Sequence, residues 1–418
     1  MLPRLLFCLL ISHLILLLQG SATNTTKNAA PPASPSPRPP PPLGDPSWAL
    51  GLRLYKALRS DSSSANTLFS PLLLACSLGA LGEGSVGTTA TQIQELLKVP
   101  SPSKAGRQVG ELLSGALKSF ADANGTSFQL HTASAVFTKQ TPAVSQAFAK
   151  ASQTRFRLRH QTLGKGDAKA DLKQLHDWAK AALGGLEGAP LEAEIGAKAG
   201  SLILGNALHF KGLWERAFSE ESNDPRIFLG RKYTKVVMMH RAGLYRFHED
   251  TDSMVQILEA PLWGGKASLV LLLPFHVENL ARLNKLLTLE LLSEWLEKTS
   301  LTSVAISMPK ANITNTLSLQ KQLSTLGLTD AWDPKMADFS RMSEKTKVKL
   351  HLAGVLHWAS LELASPTGKE DAEEHVEKPK VFYADHPFII FVRDNTTGAL
   401  LLMGTLEYAE GEAFHDEL

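Results

Sequence analysis

The sequence predicts an α+β domain, and three observations carry that expectation. Segments with helical spacing of apolar residues crowd the first half of the chain, continuous apolar strand-like runs crowd the second, and no internal repeat joins the two. The first helix is expected over 46–60, where Trp48, Leu52 and Tyr55 recur beside Leu54 and Leu58. NTLFS (66–70) is short and strand-like, and Pro71 opens the helix LLLACSLGAL in a first turn that needs no N–H from it. Further helices are expected near 88–98, 105–122, 143–152, 168–184, 278–297 and 317–326. SFQLHTASAVF (127–137) alternates apolar with small or polar residues, as a half-buried strand does. SLILGNALHFKG (201–212), ASLVLLLP (267–274), SVAISMP (303–309) and KLHLAGVLHWASLEL (349–363) are strands too apolar for an open surface, and 381–393 is a further strand-like run.

The chain ends carry addresses. Residues 1–22 combine Arg4, an apolar stretch from Leu5 to Leu18 and small residues at Gly20, Ser21 and Ala22, which reads as a secretory signal peptide. The stretch 23–46 includes AAPPASPSPRPPPPLGDP, a proline-rich leader in which neither helix nor sheet persists. The last four residues, His415, Asp416, Glu417 and Leu418, form an H-D-E-L retrieval signal, so the lumen of the endoplasmic reticulum is the expected address and its retrieval receptor an expected partner. Once the signal peptide is gone no membrane insertion is expected. Sequons at Asn24, Asn124, Asn312 and Asn395 are glycosylation candidates for a protein on that route.

Two cysteines are present, and Cys8 belongs to the signal segment. Cys76 then has no intramolecular partner and sits in an apolar run, which fits an inert buried thiol. With 43 Lys plus Arg against 41 Asp plus Glu, the net charge of +2 argues against recruitment to nucleic acid by bulk charge. The 13 histidines show no H-E-x-x-H spacing, and no G-x-S-x-G elbow occurs. No enzyme activity, metal or cofactor is expected.

Several blocks resemble the serpin family: NTLFSPLLLACSLGALGEGSVGTTATQIQELL (66–97), LILGNALHFKGLWERAF (202–218), AISMPK (305–310) and FYADHPFIIFVRDNTTGALLLMG (382–404). The resemblance implies one serpin domain over 47–410, with three β-sheets and about nine helices, followed by the tail 411–418; length alone would suggest two or three domains. Within the family, VMMHRAGLY (237–245), KVFYADHPF (380–388) and the retrieval tail resemble the collagen-binding heat-shock chaperone branch of the endoplasmic reticulum. That resemblance implies a non-inhibitory, monomeric chaperone whose client is the folded procollagen triple helix. A retained serine-protease inhibitor and a chaperone for another secretory client are the alternatives.

The loop 364–380 separates these alternatives. In inhibitory serpins its first part must insert into the main sheet, which requires small uncharged residues. Here the hinge is Ser365-Pro366-Thr367-Gly368-Lys369-Glu370-Asp371-Ala372. Pro366 lacks the donor an interior strand needs, and burying Lys369 or Asp371 without a partner would cost several kcal/mol. The loop also looks shorter than the inhibitory pattern and is a poor protease trap.

A binding face is legible after it. In an extended segment Val381, Tyr383 and Asp385 share one side while Phe382 and Ala384 take the other, and Pro387 keeps His386 extended. Only glycine fits the axis of a collagen triple helix, so its other side chains project outward, and an arginine among them can pair with Asp385 while neighbours pack on Val381 and Tyr383. An Asp that merely caps a turn before His-Pro is the plain alternative. By resemblance, Ser307 matches a serine contact, and an arginine contact falls at Pro225 or, shifted by one, at Arg226; the nearby methionine position holds Phe228. Paired histidines are replaced by Phe275-His276, and a further histidine by Leu213. His276, His240 and His386 remain as pH-sensing candidates.

Overall fold

The computed structural model describes residues 46–413 except 61–65, 99–101, 122–127, 140–143, 189, 192–194, 344–348 and 365–377. The signal segment, nearly all of the leader, Asn24, Asn124, the hinge 365–372 and the tetrapeptide His415–Leu418 lie outside the described residues.

The first half is helical because its apolar spacing is. Helix α1 (Pro46–Ser60) buries Trp48, Leu52 and Tyr55, and strand β1 (Thr67–Phe69) leads into α2 (Pro71–Gly84). Ser70 caps α2 by accepting the Leu73 N–H at 3.2 Å. Every residue of α2 except Glu83 is buried, which suits a helix that is apolar all round. Helices α3 (Gly87–Leu97), α4 (Pro102–Ala121), α5 (Gln146–Phe156) and α6 (Ala168–Ala182) follow, with strands β2 (Phe128–Lys139) and β3 (Leu158–Leu163) among them. The long helix expected over 278–297 is two, α7 (Leu280–Leu286) and α8 (Leu289–Lys298), because Thr288 adopts extended geometry and caps the second. With α9 (Gln320–Thr325), nine α-helices are present among the described residues.

Strands β4 (Ser201–Leu213), β10 (Ile313–Ser318) and β11 (His351–Ala364) join β2 and β3 in a five-stranded sheet of order β10-β11-β4-β2-β3. Its two central strands pair in parallel from His351↔Ser201 to Ala364↔Leu213, so they touch directly along their length with no strand between them. Both are buried on both faces, as parallel strands in a sheet centre are. His357 on β11 is fully buried, and its Nε2 accepts the Ser70 N–H at 2.8 Å, tying the sheet to the start of α2.

The remaining strands form one hydrogen-bonded ladder, which corrects the expectation of three sheets. Its backbone order is β1-β14-β13-β8-β7-β6-β9-β12, with β5 and β15 also paired to β6. These are β5 (Asp224–Leu229), β6 (Tyr233–Asp250), β7 (Val255–Pro261), β8 (Ala267–Pro274), β9 (Ser300–Pro309), β12 (Lys380–Tyr383), β13 (Phe388–Asp394), β14 (Leu400–Leu406) and β15 (Glu412–Ala413). The 18-residue strand β6 makes the ladder continuous. Its even positions 234, 236 and 238 are buried in the first half, and its odd positions 239, 241, 243, 245 and 247 in the second. The buried side changes at Met238-Met239, where both residues are inside. The strand therefore turns opposite faces inward in its two halves, and both halves pack into one continuous core. The run 381–393 breaks into β12 and β13 at Ala384–Pro387, since proline has no N–H for the ladder.

Candidate functional site at the edge of the large sheet

Strand β12 ends the ladder and pairs in parallel with β9, Val381 opposite Ala305 and Tyr383 opposite Ser307. The Ala384 N–H extends the pairing to the Ser307 carbonyl at 2.8 Å. Phe382 and Ala384 are buried, whereas Val381 is exposed and Tyr383 and Asp385 are partly so. Alternation thus presents three accessible side chains on an edge whose other side is anchored in the core.

Asp385 is held from two directions. Its carbonyl accepts the Leu229 N–H at 2.7 Å, and its Oδ1 lies 2.8 Å from Nδ1 of His386. The other nitrogen of His386, Nε2, is 2.7 Å from the Pro274 carbonyl. A carbonyl only accepts, so Nε2 carries a proton. A carboxylate also only accepts, so a second proton on Nδ1 would convert that contact into a charge-assisted hydrogen bond. The Asp385 side chain keeps about a quarter of its surface exposed (27 %), and among the described residues no donor reaches its Oδ2.

Beside it runs a second chain of polar contacts. Ser307 is buried, and its Oγ meets Nδ1 of His240 at 2.8 Å. Nε2 of His240 reaches Oδ1 of Asp224 at 2.8 Å, while Oδ2 of Asp224 pairs with Arg226 at 2.6 Å. The hydrogen bond from His240, followed by that from Arg226, holds the Asp224 carboxyl below the usual carboxylate range. Burial raises the Tyr383 phenol, Arg226 opposes that shift, and Asp385 and Asp224 reinforce it, so all these charges act on one ring. Arg226 is itself raised by Asp224.

The structure therefore brings Val381, Tyr383, Asp385, Arg226, Ser307, His240 and His386 into one neighbourhood. His276 stands apart, exposed just before the turn Val277–Asn279, and no hydrogen bond among the described residues links its ring to this group. Phe228 is fully buried and belongs to the core. Asp224 was absent from the sequence expectation; its signal was the D-P-R spacing, which sets acid and base two residues apart on one strand. Of the two sequons within the described residues, Asn312 is exposed, whereas the Asn395 amide donates to the Gly265 carbonyl at 3.0 Å and to Ser268 Oγ at 2.9 Å. Among the described residues there is no group of three His, Cys, Asp or Glu able to hold a metal, and no helix long and apolar enough to cross a membrane.

Comparison with known proteins gives this geometry a family. The chain is 35% identical to mouse Serpin H1 over 384 residues, covering 90% of each chain, and 34% identical to the Gallus gallus protein of that name over 382 residues, covering 90% of this chain and 93% of the relative. Rat leukocyte elastase inhibitor A is more distant, at 28% over 372 residues, covering 85% of this chain and 96% of that one. Uncleaved ovalbumin superposes with a TM-score of 0.77 at 22% identity, over 87% of this chain and 98% of ovalbumin, which speaks for the fold alone. The family description "Serpin (serine protease inhibitor)" matches residues 47–408. Serpins are not enzymes, and with that match over most of its length this chain belongs to the serpin family.

Proposed function

We propose that this serpin is a non-inhibitory chaperone of the endoplasmic reticulum that binds the folded procollagen triple helix, with Asp385 receiving an arginine of the rod. One observation carries the reading: a partly exposed carboxylate with an unoccupied oxygen stands at a sheet edge beside Tyr383 and the exposed Val381. A guanidinium fits such an acceptor better than an ammonium does, because its fork can bond while its plane lies against the tyrosine ring. Arg226 is neutralised by Asp224, so it can meet a backbone carbonyl of the client without repelling the incoming arginine. Similarity to Serpin H1 and the H-D-E-L terminus support the same reading.

Triple-helical peptides with and without one central arginine test it. The arginine peptide should be retained on the immobilised protein at pH 7.4 and its arginine-free counterpart should not. Equal retention would end the proposal. Incubation with serine proteases should give loop cleavage without detergent-stable adducts; such adducts would favour a retained inhibitor.

Binding should weaken in acid, and the bonds of His386 give the sign. A ring that carries protons on both nitrogens is a cation that clamps Asp385 Oδ1 and competes with the client's arginine. His386→Gln keeps a donor for the Pro274 carbonyl but cannot charge. Affinity of the parent should fall between pH 7.4 and 6.0 while that of the variant stays level, as titration at both pH values would show; parallel curves would remove His386 from the release step.

A further inference from the structure

The apolar surface does not stop at Val381. Cross-strand partners share a face, so the register of β12, β9 and β6 defines successive rungs on the side that carries Asp385. Tyr383, Ser307 and His240 form the first, Val381, Ala305 and Ala242 the next, Ser303 and Leu244 the third, and Leu301 and Arg246 the fourth. Val381, Leu301 and Leu244 are 59, 54 and 44 % exposed, unusual values for large aliphatic side chains. On these rungs Ala242, Ala305 and Ser303 are the side chains between them, so the floor is low.

We infer that Leu301 and Leu244 form a second contact site for the triple helix, a subsite for apolar X or Y side chains about three triplets from the arginine held by Asp385. The inference rests on the proposed collagen reading and extends it along the rod. Its spacing comes from geometry. Strand residues advance about 3.3 Å, so the three steps from the Tyr383 rung to the Leu301 rung span about 20 Å, and Asp385 stands one step, about 7 Å, further on. A polyproline-type chain advances about 3.1 Å per residue, which makes the total of about 27 Å equal to eight or nine residues of the client. Leu244 and Leu301 lie past the last β12 pair, Lys380 opposite Val304, so a client that follows the direction of β12 and β9 beyond Val381 meets the aliphatic pair. Arg246 on the last rung disfavours a cation there and leaves an apolar or acidic residue as the preferred occupant.

Leu301→Lys tests the subsite without disturbing the core, because the side chain is already in water. On a long triple-helical peptide with one central arginine and otherwise apolar X and Y residues, the variant should bind about tenfold more weakly than the parent. On a peptide carrying glutamates two and three triplets to either side of that arginine, the order should reverse, which a general defect in folding cannot produce. Leu244→Lys should behave alike. If both lysine variants match the parent on both peptides while Asp385→Asn still abolishes binding, the subsite is wrong and the Asp385 reading stands. If Asp385→Asn also binds as the parent does, the collagen reading itself falls.

Discussion

Asp385→Asn should abolish most binding to arginine-containing triple helices while leaving the melting temperature of the protein close to that of the parent. The amide preserves shape and an acceptor oxygen, and the carbonyl that receives the Leu229 N–H is main chain, so the local fold is retained. What disappears is the charge that the arginine of the proposed client would meet. Loss of one partner of a desolvated charge pair costs about 2–5 kcal/mol, roughly a 30- to 5000-fold drop in affinity. The loss should appear mainly in the dissociation rate, because a contact formed after encounter governs residence. Tyr383→Ala removes packing and no charge, so its smaller loss should persist at high salt, where the contribution of Asp385 to encounter is screened. Surface plasmon resonance with peptides that differ at a single arginine separates these effects. Parental affinity for Asp385→Asn would leave the sheet edge without a role in recognition.

His357→Gln should make the protein markedly less sensitive to acid. Burial lowers the His357 imidazole from 6.5 to about 3. The ring is fully buried and neutral, with Nε2 accepting the Ser70 N–H, so the proton sits on Nδ1, which has no partner among the described residues. In the unfolded chain the same ring takes up a second proton near pH 6.5. The contribution of this group is therefore complete above that pH, shrinks as the pH falls and is lost below the folded value. Between pH 7 and 5 the loss amounts to about 2 kcal/mol, and it reaches about 4 kcal/mol near pH 3. His160, also lowered by burial, adds in the same direction. Glutamine places an acceptor where Nε2 stood and does not titrate, so the variant should hold roughly 3 °C more of its melting temperature over the pH 7 to 5 interval. Equal slopes of melting temperature against pH for the two proteins would show that acid acts elsewhere.

What could be read from the sequence was whatever depended on neighbours in the chain. Pro71 and Ser70 marked the start of α2, the unbroken apolar runs marked β4 and β8, and alternation placed Val381, Tyr383 and Asp385 on one side. Strand β3 (LRHQTL) escaped because its polar residues carry no strand pattern, and pairing with β2 supplies the stability instead. The extent of β6 escaped for a different reason: at Met238-Met239 the period-2 pattern breaks, which in a sequence looks like the end of an element. Asp224 drew no notice because its partner His240 lies 16 residues away. The environment of His386 was hidden further still, since the Pro274 carbonyl that fixes its proton is 112 residues distant.

The change of buried side within β6 also governs how this segment can vary. A strand that buries one face throughout can absorb a slip of two residues with its pattern intact, because alternate positions are equivalent. Here the two halves have opposite parity and meet at a single doublet, so a shift of one residue turns both halves inside out, and a shift of two moves the doublet away from the point where the inward face changes. Residues 233–250 can thus accept exchanges of side chain but neither insertion nor deletion. Changes in length must be taken up in the connections on either side, and the register that holds β9 and β12 beside β6 stays fixed however far the rest of the sequence drifts.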